Sequence, residues 1–322
     1  MSSRYDWLKR VYPSSDQRGA EIVATMLDAS EAQGRPPRIR EVLGVVGHGA
    51  RCRFGLTPDR FGGQVLESAA LPGLIVGCAL AIFLLVWGEW EPRHHVAPLG
   101  TQFGPFVTVA PIAYLVWLLS TLYALGAPRH RRPAAALAVA SVAATLVLGK
   151  LVGLSPNMAL LGTLAALGLP GILASTDLPS SRRVAGSIGA GMLAFSLLWW
   201  LGVTNFAHIE IFYWYGDFAL NRGILWVVLA AVVVAAVLSV SGRQVLGGTV
   251  VLVASPFAFC TVSVIVNESG ALFVPPGTIM RAWVTVLIMA CGMVGLLVFW
   301  MQDLHRSVRM LSSDEPPATA IG

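Results

Sequence analysis

The chain has 322 residues, 56% hydrophobic and only 12% charged, with a mean hydropathy of +0.71. An average soluble domain carries about 25% charged residues, so this composition excludes that class and places the chain among membrane proteins. The formal charge of +5 matters less as a total than in where the bases gather.

Residues 1–60 form the one long water-compatible stretch. They hold no apolar core followed by a cleavage site, so no secretory signal is expected. Tyr5, Leu8, Val11 and Tyr12 recur at helical spacing, and Pro13 stops this first helix. Ser14 followed by Gln17 reads as a capping box for a second helix with Ile22, Val23, Met26 and Leu27 on its apolar face. Residues 31–37 contain Gly34, Pro36 and Pro37 and read as a linker. A third helix follows, with Ile39, Val42, Leu43, Val46, Ala50 and Phe54 on one stripe. Three stripes can share a small core, which is marginal by itself, so the module is expected to lean on a membrane or a partner. Thr57-Pro58-Asp59 supplies an N-cap, a first-turn proline and a first-turn acid for a helix leading toward the bilayer.

Apolar runs near the length needed to cross hydrocarbon, about 20 residues, occupy about 70–88, 105–125, 134–153, 157–174, 184–203, 223–240, 245–266 and 279–300. Ser155-Pro156-Asn157 divides the third from the fourth. The expected fold is therefore all-α: a polytopic bundle of about eight spans over 61–303, a helical cytosolic module over 1–60, and a disordered cytosolic tail over 304–322. Pro111, Pro170 and Pro256 fall within spans and are expected to kink them. Gly73-x-x-x-Gly77 and Gly149-x-x-x-Gly153 permit close helix approach.

Cytoplasmic connections are enriched in Lys and Arg. With the N-terminus inside, eighteen of the 22 bases fall on the cytoplasmic side and four on the other. Omitting residues 1–60 leaves eight against four, with Arg129, Arg131, Arg132, Arg182, Arg183 and Arg243 among the eight. Both termini are thus expected in the cytoplasm of a cell membrane protein. The bases from Arg35 to Arg60 lie close to the bilayer, which favours contact with anionic lipid over nucleic acid.

The opposite side carries Glu89, Glu91, His94 and His95 in its first loop. Residues 204–221 interleave Phe206, Tyr213, Trp214 and Tyr215 with His208, Glu210 and Asp217. These aromatics suit an interfacial anchor. With Arg281 near an outer boundary, His94, His95, His208, Glu210, Tyr213, Trp214 and Asp217 make up a candidate ligand or sensing cluster. The histidines and acids are metal-ligand types without a ligand motif's spacing, so no metal and no cofactor is expected. Tyr215-Gly216-Asp217 lacks the facing aspartate that intramembrane aspartyl proteolysis requires. No span centre offers a Ser–His pair, and there is no His-Glu-x-x-His, phosphate-binding Gly-rich loop or Cys-x-x-Cys, so no catalytic residue is assigned. Cys52, Cys78, Cys260 and Cys291 suggest neither a disulfide nor a cluster.

The N-terminal pattern resembles a family of actinobacterial polytopic membrane proteins with a permease-prefix-like, or HAAS-like, helical cytosolic prefix, often encoded beside PadR-type regulators. Tyr12-Pro13, Arg18-Gly19-Ala20-Glu21 leading to Thr25-Met26-Leu27-Asp28, Arg35-Pro36-Pro37, Arg40-Glu41 and His48-Gly49-Ala50-Arg51 carry the likeness. The resemblance implies a prefix that meets a cytosolic protein, with Arg18, Glu21, Met26, Leu27, Arg40 and Glu41 as candidate docking residues. The leading expectation is a non-enzymatic regulatory or accessory membrane protein. A transporter or permease subunit for a hydrophobic or amphipathic compound is the alternative, and an outer-leaflet lipid-modifying enzyme the third.

Overall fold

The computed structural model describes residues 2–13, 17–90, 103, 105, 106, 108–154, 158–174, 181–206, 212–257 and 278–313. Among them the chain is helical almost throughout; the β-like feature is an isolated antiparallel bridge between Phe103 and Phe106. Two compact units separate, one made of residues 1–64 and 297–322 and the other of residues 65–296.

The first unit opens with a 3-10 helix, Ser2–Val11, followed by α1 (Gln17–Ala32) and α2 (Ile39–Arg53). Its core is Leu8, Tyr12, Val23 and Val45, with Ile22, Met26, Leu27, Val42 and Val46 packed around them. Tyr12 organises this core. Its ring lies directly over Gly19 of α1, and a Cβ at Gly49 of α2 would stand 2.9 Å from Val11. Its hydroxyl donates to the Val45 carbonyl at 3.3 Å. Ser14 to Asp16, where the capping box was expected, lie outside the described residues.

The stripe read for the third helix is corrected here. Val42 and Val46 do meet the core, but Ile39, Leu43 and Phe54 are 79%, 64% and 60% exposed. The helix turns instead on Val45 and Gly49, both buried. Only a residue without a side chain lets α2 approach Tyr12, and that fixes its rotation. Apolar residues occupy two faces of α2, and periodicity does not say which one is covered.

The turn after α2 also differs from expectation. Thr57-Pro58-Asp59 forms a turn, closed by Arg60 N–H to the Thr57 carbonyl at 2.9 Å, and α3 (Phe61–Phe83) begins beyond it. The orphan N–H of Phe61 donates to Asp303 Oδ2 at 3.1 Å, so the cap comes from the far end of the chain. Trp300 Nε1 donates to the Phe54 carbonyl at 3.0 Å, and the Phe61 and Phe299 rings are 6.3 Å apart. Gly55 takes φ +63, and a Cβ there would meet Leu304 at 2.6 Å. These partners belong to the last helix, α10 (Thr278–Ser313), which runs ten residues past 303, where the tail was expected to begin.

In the second unit α3 continues through a π-helical turn, Leu84–Trp90. Then come α4 (Pro111–Gly126), a 3-10 turn (Pro128–His130), α5 (Arg131–Val152) and α6 (Met158–Leu173). They are followed by α7 (Ser181–Phe206), α8 (Phe212–Val240), α9 (Gln244–Ala254) and the first part of α10. Helices α4, α5 and α6 pack each on the next, as do α8 and α9. Gly153, at φ +75, ends α5 before the chain restarts as α6. Pro111 begins α4 rather than kinking it, as its missing N–H allows, and Pro256 lies beyond α9; Pro170 is inside α6.

Trp117 is the hub of this unit and is fully buried. A Cβ at Gly77 of α3 would stand 2.6 Å from its ring, and one at Gly168 of α6 would stand 3.0 Å from it. Gly73, one turn before Gly77, sits against the Leu167 carbonyl of α6. The Trp117 indole donates to the Leu74 carbonyl at 3.1 Å. The glycine pair thus packs within the unit. Arg131 is buried at the start of α5, and Arg132 donates to the Ala174 carbonyl at the end of α6, where a cation meets the helix dipole.

Among the described residues three helical stretches, Phe61–Trp90, Pro128–Val152 and Trp283–His305, are long and apolar enough to cross a membrane. Pro111–Gly126, Met158–Leu173, Leu225–Val240 and Gln244–Ala254 are shorter apolar helices.

Candidate functional site

Helix α1 brings Ile22, Met26 and Ala29 to one side at helical spacing, and Glu21 and Thr25 beside them. Together with Val45 of α2 they line a cleft of about 510 Å³. That size falls within the range of small-molecule and side-chain pockets. Ser30 lies in its floor, buried, with its hydroxyl donating to the Leu27 carbonyl at 2.8 Å.

One wall is built by the linker. Gly34 takes φ +60, a left-handed turn that glycine adopts freely, and the chain then delivers Arg35 back to α2. The Arg35 guanidinium grips Glu41 with both nitrogens, at 2.9 and 3.3 Å. Glu41 Oε2 also accepts the Arg38 backbone N–H at 2.7 Å, which caps α2. These bonds, that from Arg35 first and that from Arg38 next, hold the Glu41 carboxyl below the usual carboxylate range, and the same pairing raises Arg35. The wall is therefore a fixed ion pair, while Glu21 stands exposed on the rim.

This arrangement suits recognition. Ile22, Met26, Ala29 and Val45 supply the apolar part of its lining, and one rim carries a carboxylate.

A second polar site lies in the other unit. Glu89, placed by sequence in an exposed loop, is on the π-helical turn and 5% exposed. Its Oε2 accepts the Thr108 N–H at 2.7 Å and its Oε1 the Thr108 hydroxyl at 2.6 Å. The Thr108 Oγ1 in turn accepts the Ala110 N–H at 3.0 Å. A carboxylate thus closes the donors just ahead of α4, at the positive end of that helix. Trp90 and Phe106 meet edge to face beside this segment, 6.1 Å apart.

Of the six candidate docking residues, Glu21, Met26 and Glu41 come together at the cleft. Leu27 packs on the core instead, Arg40 is exposed, and Arg18 lies in the first turn of α1. His94, His95, His208 and Glu210 lie outside the described residues. Tyr213, Trp214 and Asp217 fall on the first turns of α8 and Arg281 on the first turn of α10, described as backbone alone. Residues 212–221 are thus helical. Sequence reasoning missed Arg35 as a wall residue, because the left-handed turn at Gly34 just before it is what returns it to Glu41. It also missed Glu89 as buried, although Glu89 directly follows a long apolar run.

Comparison of the chain with family models, with curated proteins and with solved structures gives no match.

Proposed function

We propose that this chain is a polytopic membrane protein of about eight spans with both termini cytoplasmic, acting as a non-enzymatic regulatory or accessory protein. Its N-terminal module docks a cytosolic protein through the α1–α2 cleft. The cleft itself carries this reading: Ile22, Met26, Ala29 and Val45 give it apolar surface between Glu21 on one rim and the Arg35–Glu41 pair on one wall. The occupant it suits is an apolar side chain on a partner helix, next to a base that meets Glu21. The likeness of Arg18–Glu21 and Arg40–Glu41 to permease-prefix-like modules supports it, and the excess of bases on one side supports the orientation.

The test is photo-crosslinking in cells from a benzoyl-phenylalanine placed at Thr25 of the full-length chain. One discrete adduct is expected, lost when Ala29→Trp fills the cleft and kept with Ala32→Trp outside it. No adduct, or an adduct indifferent to Ala29→Trp, removes the docking reading.

Glu89 favours a second reading, transport of a hydrophobic or amphipathic compound. Buried carboxyls at the end of a membrane-length helix mark ligand paths by default. Here Glu89→Gln is expected to abolish flux in reconstituted vesicles while Thr108→Ser leaves it; unchanged flux in both rejects it.

A further inference from the structure

We infer that the outward face of α2 is a lipid-docking surface that lies in the headgroup layer of an anionic membrane. Ile39, Leu43 and Phe54 are strongly exposed although the core is already met by Val42, Val45 and Val46. Ile39 and Leu43 lie one turn apart, and Phe54, the residue after α2, falls three turns further along the same side with Gly47 and Ala50 between, so the two ends of α2 carry an apolar strip.

The borders of the strip are basic. Arg40 and Arg51 fall on one side of it and Arg53 on the other, where Arg53 donates to the Arg10 carbonyl at 2.9 Å. The single acid in α2 is Glu41, and it is gripped by Arg35. An apolar strip edged by arginines, with its acid neutralised, is the pattern of a helix lying in a membrane surface. Long arginine stems reach headgroup phosphates while the apolar side chains enter the acyl boundary.

A second observation places the strip at the right level. Phe54 is its last residue, and its carbonyl is held by Trp300. Seven residues later the Phe61 N–H is held by Asp303. Trp300 and Asp303 lie at the end of the Trp283–His305 stretch, and Phe61 starts the Phe61–Trp90 stretch, both long enough to cross a membrane. The strip therefore ends where two such helices meet the surface, and Trp300 is the residue type enriched there. A second copy of the chain suits this face poorly, since a two-fold contact would set its arginine borders against their own kind. The proposal rests on the reading that the chain spans a membrane.

Fluorescence quenching tests it on the full-length protein, with the four native cysteines changed to alanine. One bimane-labelled cysteine is placed by Leu43→Cys, Ala32→Cys or Leu287→Cys. The protein is reconstituted in vesicles of phosphatidylglycerol with phosphatidylcholine, or of phosphatidylcholine alone, containing a lipid spin-labelled near its headgroup. Quenching at Leu43 is expected in the anionic vesicles. It should weaken at least twofold in neutral vesicles and with Arg40→Gln/Arg51→Gln, and be absent at Ala32. A quenched Leu287 with an unquenched Leu43 overturns the lipid surface alone. Equal quenching at Leu43 and Ala32 also overturns it, as does shielding of Leu43 in detergent that grows with protein concentration, the sign of a second copy. An unquenched Leu287 overturns the spanning reading and this proposal with it.

Discussion

Glu89 holds Thr108 through both of its oxygens, at 2.7 and 2.6 Å, and the pair is buried. Bonds to a carboxylate contribute about 1.5–3 kcal/mol each way they are broken, because the partner is left without its acceptor. Glu89→Ala is therefore expected to lower the thermal midpoint of the detergent-solubilised protein by an amount equivalent to about 3 kcal/mol or less. Thr108→Val should cost somewhat less, and Thr108→Ser, which keeps both donors, almost nothing. A thermal scan of the three variants checks the order.

Glu41 gives the module a pH dependence of definite sign. Its carboxyl is held below the ordinary range by Arg35 and then by the Arg38 N–H. A group depressed in the folded state contributes stability that is fully present above its unfolded value and lost as pH falls through its folded value. Protection from hydrogen exchange at the first turn of α2, taken relative to the intrinsic rate at each pH, should thus be highest at neutral pH and fall below the ordinary carboxylate range. In Glu41→Gln that turn should be less protected at neutral pH and insensitive to acid. A Glu41→Gln profile that still follows acid would reject the assignment.

Gly77 leaves no room for a side chain in the second unit. A Cβ there would stand 2.6 Å from the Trp117 ring, and overpacking of a filled core costs about 1–3 kcal/mol. Gly77→Ala is expected to destabilise by that order despite the better helix propensity of alanine. Adding Trp117→Phe, which removes the clashing part of the ring, should recover part of the loss in a double-mutant cycle. Gly186→Ala, with open space around it, should leave the midpoint within about 0.5 kcal/mol.

The cap from Asp303 predicts a local effect. Loss of a helix N-cap costs about 0.5–2 kcal/mol. Asp303→Ala should expose the 54–61 turn and speed tryptic cleavage after Arg60, whereas Asp303→Asn, which keeps an acceptor, should change it much less. Equal cleavage of wild type and Asp303→Ala would remove the cap from the account.

Helices were legible in this chain wherever apolar runs were long and bounded by turn residues, as between Val152 and Met158 and at Pro13, whereas Gly153, read as a close-packing residue, is the left-handed cap of α5. The limits of legibility have physical causes. Helix α2 carries apolar residues on two faces, and only the contact of Gly49 with Tyr12 selects the covered one. Thr57 looks like a cap in isolation because the competing cap, Asp303, is 242 residues away. For the cleft, Glu21, Met26 and Glu41 could be read from local pattern. Arg35 could not, since its role depends on the left-handed turn at Gly34.

The Phe61–Asp303 bond has a consequence for biosynthesis. The first amide of α3 gains its carboxylate partner only when residue 303 of 322 has been made. Until then the turn from Phe54 to Phe61 lacks Trp300 as well. The nascent chain must carry this junction open until the end of α10 has been made, and a ribosome that stops short of Leu297 releases a product whose N-terminal module is unfinished. Synthesis of the end of α10 is thereby registered at the start of α3.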